Sequence, residues 1–100
     1  MFFSKVKSIS TSELATKIQE QKDIEIIDVR EKDEFKGGHI KEAKNIPLSN
    51  FDVNKIKKQP LYVICQSGMR SKQAYKHLSN LGYDVTNVSG GMNAWKGKVV

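Results

Sequence analysis

Short apolar runs alternate with amphipathic segments along this chain, and turn-forming residues separate them. Val6 to Ile9 predicts a short first strand. Ser10 precedes Glu13 by three positions, the spacing of a capping box, ahead of Leu14 and Ile18. A first helix is therefore expected over 11–21. The run IEIIDV (Ile24 to Val29) is rich in β-branched residues and bounded by polar clusters, which predicts a buried strand with Asp28 at its C-terminal end. Arg30 to Lys36 fits one or two helical turns, stopped by Gly37 and Gly38. Ala43 to Pro47 is extended at its end, because Pro47 pushes Ile46 out of the helical region. Ser49 to Lys58 predicts a short helix before Gln59 and Pro60. LYVI (Leu61 to Ile64) is the clearest buried strand. After a loop from Cys65 to Arg70, Ser71 to Leu81 reads as a helix with Ala74, Leu78 and Leu81 on one face. Gly82 fits a helix stop, Tyr83 to Val88 a last strand, and Gly90 and Gly91 open a final helical segment holding Met92 and Trp95.

Strands alternating with helices at this spacing predict an α/β domain with a mainly parallel sheet. In such sheets ligands sit beyond the carboxyl ends of the strands, where Asp28 and Cys65 both fall. The 100 residues fit one domain, expected to span 1–100 with its core over about 8–97. With 38% hydrophobic and 28% charged residues, the composition is that of a globular protein rather than a disordered or fibrous one. The formal net charge is +6. Many lysines, such as Lys17, Lys22, Lys32, Lys36, Lys41 and Lys44, are scattered between acids. The one tight run, Lys55, Lys57 and Lys58, has no interleaved aromatics and reads as a solvated helical face. Neither a nucleic-acid partner nor a membrane partner is expected; a weak pull on small anionic substrates is the more economical use of the charge. In MFFSKVKSIS, polar Ser4 and Lys5 follow Phe2 and Phe3 at once, so no apolar signal region forms, and no stretch approaches the ~20 apolar residues of a membrane span. The expected location is the cytoplasm.

Cys65 is the only cysteine. An intrachain disulfide and a multi-cysteine metal site are thereby excluded. A lone cysteine is ordinarily a small core residue; the surroundings of this one point elsewhere. Cys65 lies between a buried strand and a helix start, where unpaired backbone N–H groups point outward and the helix dipole favours an anion. Arg70 adds a formal positive charge. Gly68 lets the loop curl so that successive amides converge on one point. Ser67 and Ser71 can donate further hydrogen bonds, although Ser71 can equally serve as a helix cap. Such surroundings lower a thiol pKa from its free value of ~8.5, and they favour a nucleophile over an inert thiol.

The loop CQSGMR, Cys65 to Arg70, resembles the six-residue active-site loop of the rhodanese family. Three further segments share the resemblance in the right order. They are DVR at Asp28 to Arg30 with Glu34 and Phe35, GHI at Gly38 to Ile40 with AKNIP at Ala43 to Pro47, and GGMNAW at Gly90 to Trp95. The resemblance implies a central five-stranded parallel sheet flanked by helices on both faces. It implies a thiosulfate-type sulfurtransferase in which Cys65 accepts a sulfane sulfur as a persulfide. The amides of Gln66, Ser67, Gly68, Met69, Arg70 and Ser71 and the Arg70 charge would then steady that anion. The partners implied are a small anionic sulfur donor, such as thiosulfate, and an external thiol or protein acceptor. No cofactor and no metal are implied.

Three rival readings stand beside this one. Phosphatases and arsenate reductases place five residues between a cysteine and an arginine; here there are four (Gln66, Ser67, Gly68, Met69), a tighter cradle suited to one sulfur atom. A pure binding module has little use for an intact Cys65 and Arg70. A persulfide carrier dedicated to one partner is a milder variant of the enzyme. Asp28 is expected to pair with a basic group such as Arg30 as structural support, since persulfide transfer needs little proton transfer. Arg30 and Glu34, four apart, read as a surface or structural pair. His39 reads as a structural hydrogen-bonding residue, His77 as solvent-facing, and Met92 and Trp95 as cover for the core or the pocket edge. Lys72 and Lys76 either draw anions toward the loop or are merely exposed.

Overall fold

The computed structural model describes residues 5–100. Five parallel strands form one sheet in the order β1-β5-β4-β2-β3. They are β1 (Ser8–Ile9), β2 (Glu25–Asp28), β3 (Ala43–Asn45), β4 (Leu61–Ile64) and β5 (Val85–Val88). The helices are α1 (Thr11–Glu20), α2 (Lys32–Lys36), α3 (Met69–Asn80) and α4 (Gly91–Ala94). This is the expected α/β architecture. It places β4 at the centre of the sheet, with Cys65 directly after its last residue.

Strand alternation divides the interior into two apolar layers. Ile27, Val29, Leu61, Val63, Cys65 and Val85 face α3, which contributes Ala74 and Leu78. Ile26, Tyr62, Ile64 and Val88 face the other way, against Leu14 of α1, with Met92 and Trp95 packed at the margin. β2, β4 and β5 are buried along their whole length. Covered on both faces, they read as continuous runs rather than alternating ones. The capping box at α1 is present: the Ser10 amide donates to Glu13 at 3.0 Å and the Glu13 amide to Ser10 Oγ at 3.1 Å.

Several boundaries differ from the sequence reading, each for a local reason. No helix spans 49–58. Two short 3-10 turns, Leu48–Asn50 and Val53–Lys55, stand there instead. The Asp52 carboxylate accepts from the Asn54 amide at 3.1 Å, a local bond that competes with helix formation. Lys55, Lys57 and Lys58 are exposed, but Lys55 ends the second 3-10 turn and Lys57 and Lys58 lie on irregular chain, so they share no helical face. α3 begins two residues early, at Met69, because Gly68 takes a left-handed φ of 110° as its N-cap. Ser71 therefore lies inside the first turn and does not cap the helix. Leu81, placed by periodicity on the buried face, is half exposed. It is the C-cap of a Schellman ending, in which Gly82 donates to Ser79 O at 3.0 Å and Tyr83 to Leu78 O at 3.0 Å. The predicted strand over Val6 to Ile9 is reduced to Ser8–Ile9, and the last strand starts at Val85 rather than Tyr83.

Candidate active site

The Cys65 sulfur lies at the floor of the loop between β4 and α3, and the residue is 1% exposed. The Gly68 amide donates to the sulfur at 3.0 Å. The thiol donates to Ser71 Oγ at 3.4 Å, while the Ser71 hydroxyl donates to Gly68 O at 3.1 Å. A hydroxyl proton is a free rotor. When the thiol ionises, the Ser71 hydroxyl can turn from the carbonyl to the sulfur. Burial pushes the Cys65 pKa up, but the Ser71 hydroxyl and the amides of Ser71, Gly68 and Ser67 outweigh it, and the thiol sits below its ordinary value. The surroundings thus favour a thiolate held by converging donors.

α4 braces the loop from behind. Its first amides donate to the loop carbonyls, Met92 N to Cys65 O at 2.8 Å and Asn93 N to Gln66 O at 2.9 Å. Gly91 makes this approach attainable. Its φ is 56°, and a Cβ there would lie 2.3 Å from Cys65 O and 2.7 Å from Gln66 O. The GGMNAW segment opens the expected final helical turn, and Gly91, Met92 and Asn93 are the residues that hold the loop. The signal was the pair of adjacent glycines, which marks a left-handed turn or close backbone approach.

The Gln66 side chain lies between two supports. Its Nε2 donates to Asn93 Oδ1 at 2.6 Å, and its Oε1 accepts from Arg30 Nη1 at 3.2 Å. Arg30 also donates to the Asp28 carboxylate through Nε and Nη2, at 2.9–3.1 Å, and to Gly38 O at 2.9 Å. Both Asp28 and Arg30 are buried, and Asn45 Nδ2 ties down the backbone carbonyls of the two at 3.0 and 2.8 Å. Asp28 thus bears on the loop through Arg30 and Gln66 and makes no hydrogen bond to the sulfur.

Glu34 does not pair with Arg30. α2 starts at Lys32, so Arg30 precedes the helix and the i, i+4 relation does not hold. Glu34 instead receives both guanidinium nitrogens of Arg70, Nη1 at 2.6 Å and Nη2 at 2.8 Å. The Arg70 hydrogen bonds, against some burial, hold the Glu34 carboxyl down at about 2. The Arg70 pKa is raised, first by Glu34, with a smaller contribution from the Cys65 charge. Ser67 and Met69 face solvent, with Met69 74% exposed. Lys72, Lys76 and His77 are exposed on α3. His39 donates through Nδ1 to Phe35 O at 2.8 Å and stacks on the Phe35 ring at 3.7 Å.

With this geometry in place, the relatives of the chain are informative. Residues 10–98 match the Rhodanese-like domain family. The chain is 40% identical to YtwF of Bacillus subtilis over 93% of each protein; that name marks YtwF provisionally as a sulfurtransferase. It is 33% identical to the thiosulfate sulfurtransferase GlpE of Shewanella oneidensis, over 92% of this chain and 94% of GlpE. Its fold overlays the crystal structure of a rhodanese-like domain protein from Staphylococcus aureus with a TM-score of 0.86, at 40% identity and 93% coverage of both chains. The chain belongs to the rhodanese-like domain family. Among the described residues, no helix is long and apolar enough to cross a membrane.

Proposed function

We propose that this protein is a sulfurtransferase. It moves a sulfane sulfur from a donor such as thiosulfate to a thiophilic acceptor by way of a Cys65 persulfide. The observation that carries the reading is the Gly68 amide donating to the Cys65 sulfur, with the Ser71 hydroxyl in hydrogen-bond contact with it, at a thiol whose pKa is lowered despite burial. The naming of GlpE as a thiosulfate sulfurtransferase agrees with it.

In the first half-reaction the Cys65 thiolate attacks the outer sulfur of the donor. The donor S–S bond breaks, and its electron pair departs with sulfite when the donor is thiosulfate. The new terminal sulfur carries negative charge at the loop mouth, where the amides of Gln66 to Ser71 and the Ser71 hydroxyl stabilise it as donors stabilise an oxyanion. In the second half-reaction an acceptor nucleophile removes that sulfur and returns the thiolate. With no second cysteine in the chain, the acceptor must be external. Gln66, Ser67, Gly68, Met69, Arg70 and Ser71 form the cradle, supported by Asp28 and Arg30.

Steady-state rates of thiocyanate formation from thiosulfate and cyanide test the scheme. Covalent transfer in two halves predicts parallel lines when reciprocal rate is plotted against reciprocal concentration at several levels of the second substrate. Intersecting lines would show a ternary complex and remove the persulfide step.

A further inference from the structure

The two arginines tied to the Cys65 loop are each matched by a carboxylate. Arg30 is engaged by Asp28, Gly38 and Gln66. Arg70, the one cation within the loop, is held by both oxygens of Glu34, which reaches it from α2. Glu34 ionises at about 2, so this pair stays complete wherever a Cys65 thiolate exists. The other loop side chains carry no charge. Gln66 is tied to Asn93, while Ser67 and the apolar Met69 face solvent. An arriving substrate thus meets amide donors, an exposed thioether and an ion pair whose field falls off as that of a dipole.

We propose that Glu34 sets the donor selectivity of the site by cancelling the Arg70 charge. Dianionic thiosulfate is left without a free guanidinium, and the site favours a thiol-borne persulfide, R–S–SH, with at most one negative charge on its sulfurs. The proposal rests on the sulfurtransferase reading and narrows its donor. A doubly charged donor gains from a free guanidinium and loses nearly as much to a carboxylate fixed against it, since the two charges lie 2.6 Å apart, well inside a Debye length of about 8 Å. The thiol part R of a persulfide offers carbon surface to Met69, whose thioether packs on irregular apolar groups, whereas thiosulfate offers none. The step balances without an oxidant. The Cys65 thiolate bonds the terminal sulfur of R–S–SH, the donor S–S bond breaks, and the electron pair leaves on R–S⁻ while the proton stays on the transferred sulfur. Glu34 acts through Arg70 and is a positioning residue.

The test is kcat/KM for thiosulfate and for the persulfide of 2-mercaptoethanol, whose carbon part is uncharged, with cyanide as acceptor. Wild type is compared with Glu34→Gln, Arg70→Gln and the double variant. Glutamine at 34 keeps an oxygen for the Glu31 amide that the Glu34 carboxylate now accepts at 3.0 Å. Wild type should use the persulfide at least about tenfold better than thiosulfate. The thiosulfate-to-persulfide ratio should rise about tenfold in Glu34→Gln, fall about tenfold in Arg70→Gln, and return to within about twofold of wild type in the double variant, as expected for cancelling unit charges. A wild type that prefers thiosulfate, or a ratio that ignores Glu34→Gln, overturns the proposal. So does an equal loss with both donors in every variant, which would assign the pair a purely structural role. If Arg70→Gln does not fold, the Glu34→Gln ratio decides alone. Failure of both donors to load Cys65 in wild type would instead sink the sulfurtransferase reading.

Discussion

Gly91→Ala isolates the contact on which the geometry of the loop depends. A methyl group at this position meets two penalties of different kinds. The backbone is held at φ 56°, where a residue with a Cβ costs about 1–2 kcal/mol. The Cβ would also lie 2.3 Å from Cys65 O and 2.7 Å from Gln66 O, both backbone atoms that no rotamer change can move. Relief requires α4 to withdraw, which breaks the Met92 and Asn93 amide bonds to those carbonyls, worth about 1 kcal/mol each. The sum is about 3–4 kcal/mol, against a total stability of about 5–15 kcal/mol for a domain of this kind. Gly82→Ala is the matched control, since φ there is 89° and no atom lies within 4 Å of the added Cβ. It meets the conformational penalty alone, about 1–2 kcal/mol. Urea melts of both variants should therefore separate by about 2 kcal/mol, and the Cys65 pKa should rise in Gly91→Ala only. Equal losses for the two alanines would refute the claim that α4 braces the loop by close approach.

Other perturbations probe the site from different sides. Ser71→Ala removes the hydroxyl that favours the thiolate and should raise the Cys65 pKa, read from the pH dependence of iodoacetamide alkylation; an unchanged profile would assign the anion to the amides alone. Because the folded-state pKa of Cys65 is depressed below that of a free thiol, it adds stability that is complete above the free-thiol value and lost as pH falls through the folded pKa. Cys65→Ser should flatten that limb of a stability–pH curve. Glu34 follows the same sign at lower pH. Its contribution is present above 4.5 and lost as pH falls toward about 2, and acid titration of Glu34→Gln should lack this component. Gln66→Ala removes both the Arg30 and Asn93 contacts and should slow sulfur transfer several-fold, with a loss in urea melts of about 2 kcal/mol, about 1 kcal/mol for each hydrogen bond.

The parts of the fold that sequence makes legible are those where local chemistry and burial agree. IEIIDV and LYVI form central parallel strands buried on both faces, so they show as unbroken apolar runs. Ser10 and Glu13 announce a helix start through bonds three residues apart. The strand–Cys–helix junction is equally local, which is why Cys65, Gly68 and Ser71 could be placed together. Where tertiary contacts decide, the pattern misleads. Glu34 sits four residues from Arg30, but the partner it takes is Arg70, thirty-six positions away and brought near by the β2–β4 pairing. Leu81 continues the apolar period of α3 yet falls on its cap, where the chain turns outward. The segment 49–58 has helical length but carries Asp52, whose side chain serves a local turn. Gly91 is legible as an unusual backbone position, whereas its contact with the Cys65 carbonyl exists only once the sheet has assembled.

The central claim is that Cys65 carries sulfur covalently, and intact mass spectrometry tests it most directly. Protein mixed with a sulfane donor and then freed of it should gain ~32 Da, one sulfur atom, as a covalent intermediate requires. Cyanide should remove that mass and yield thiocyanate, and Cys65→Ser should never acquire it. A wild-type protein that keeps its unmodified mass with thiosulfate and with a persulfide donor alike would contradict the account.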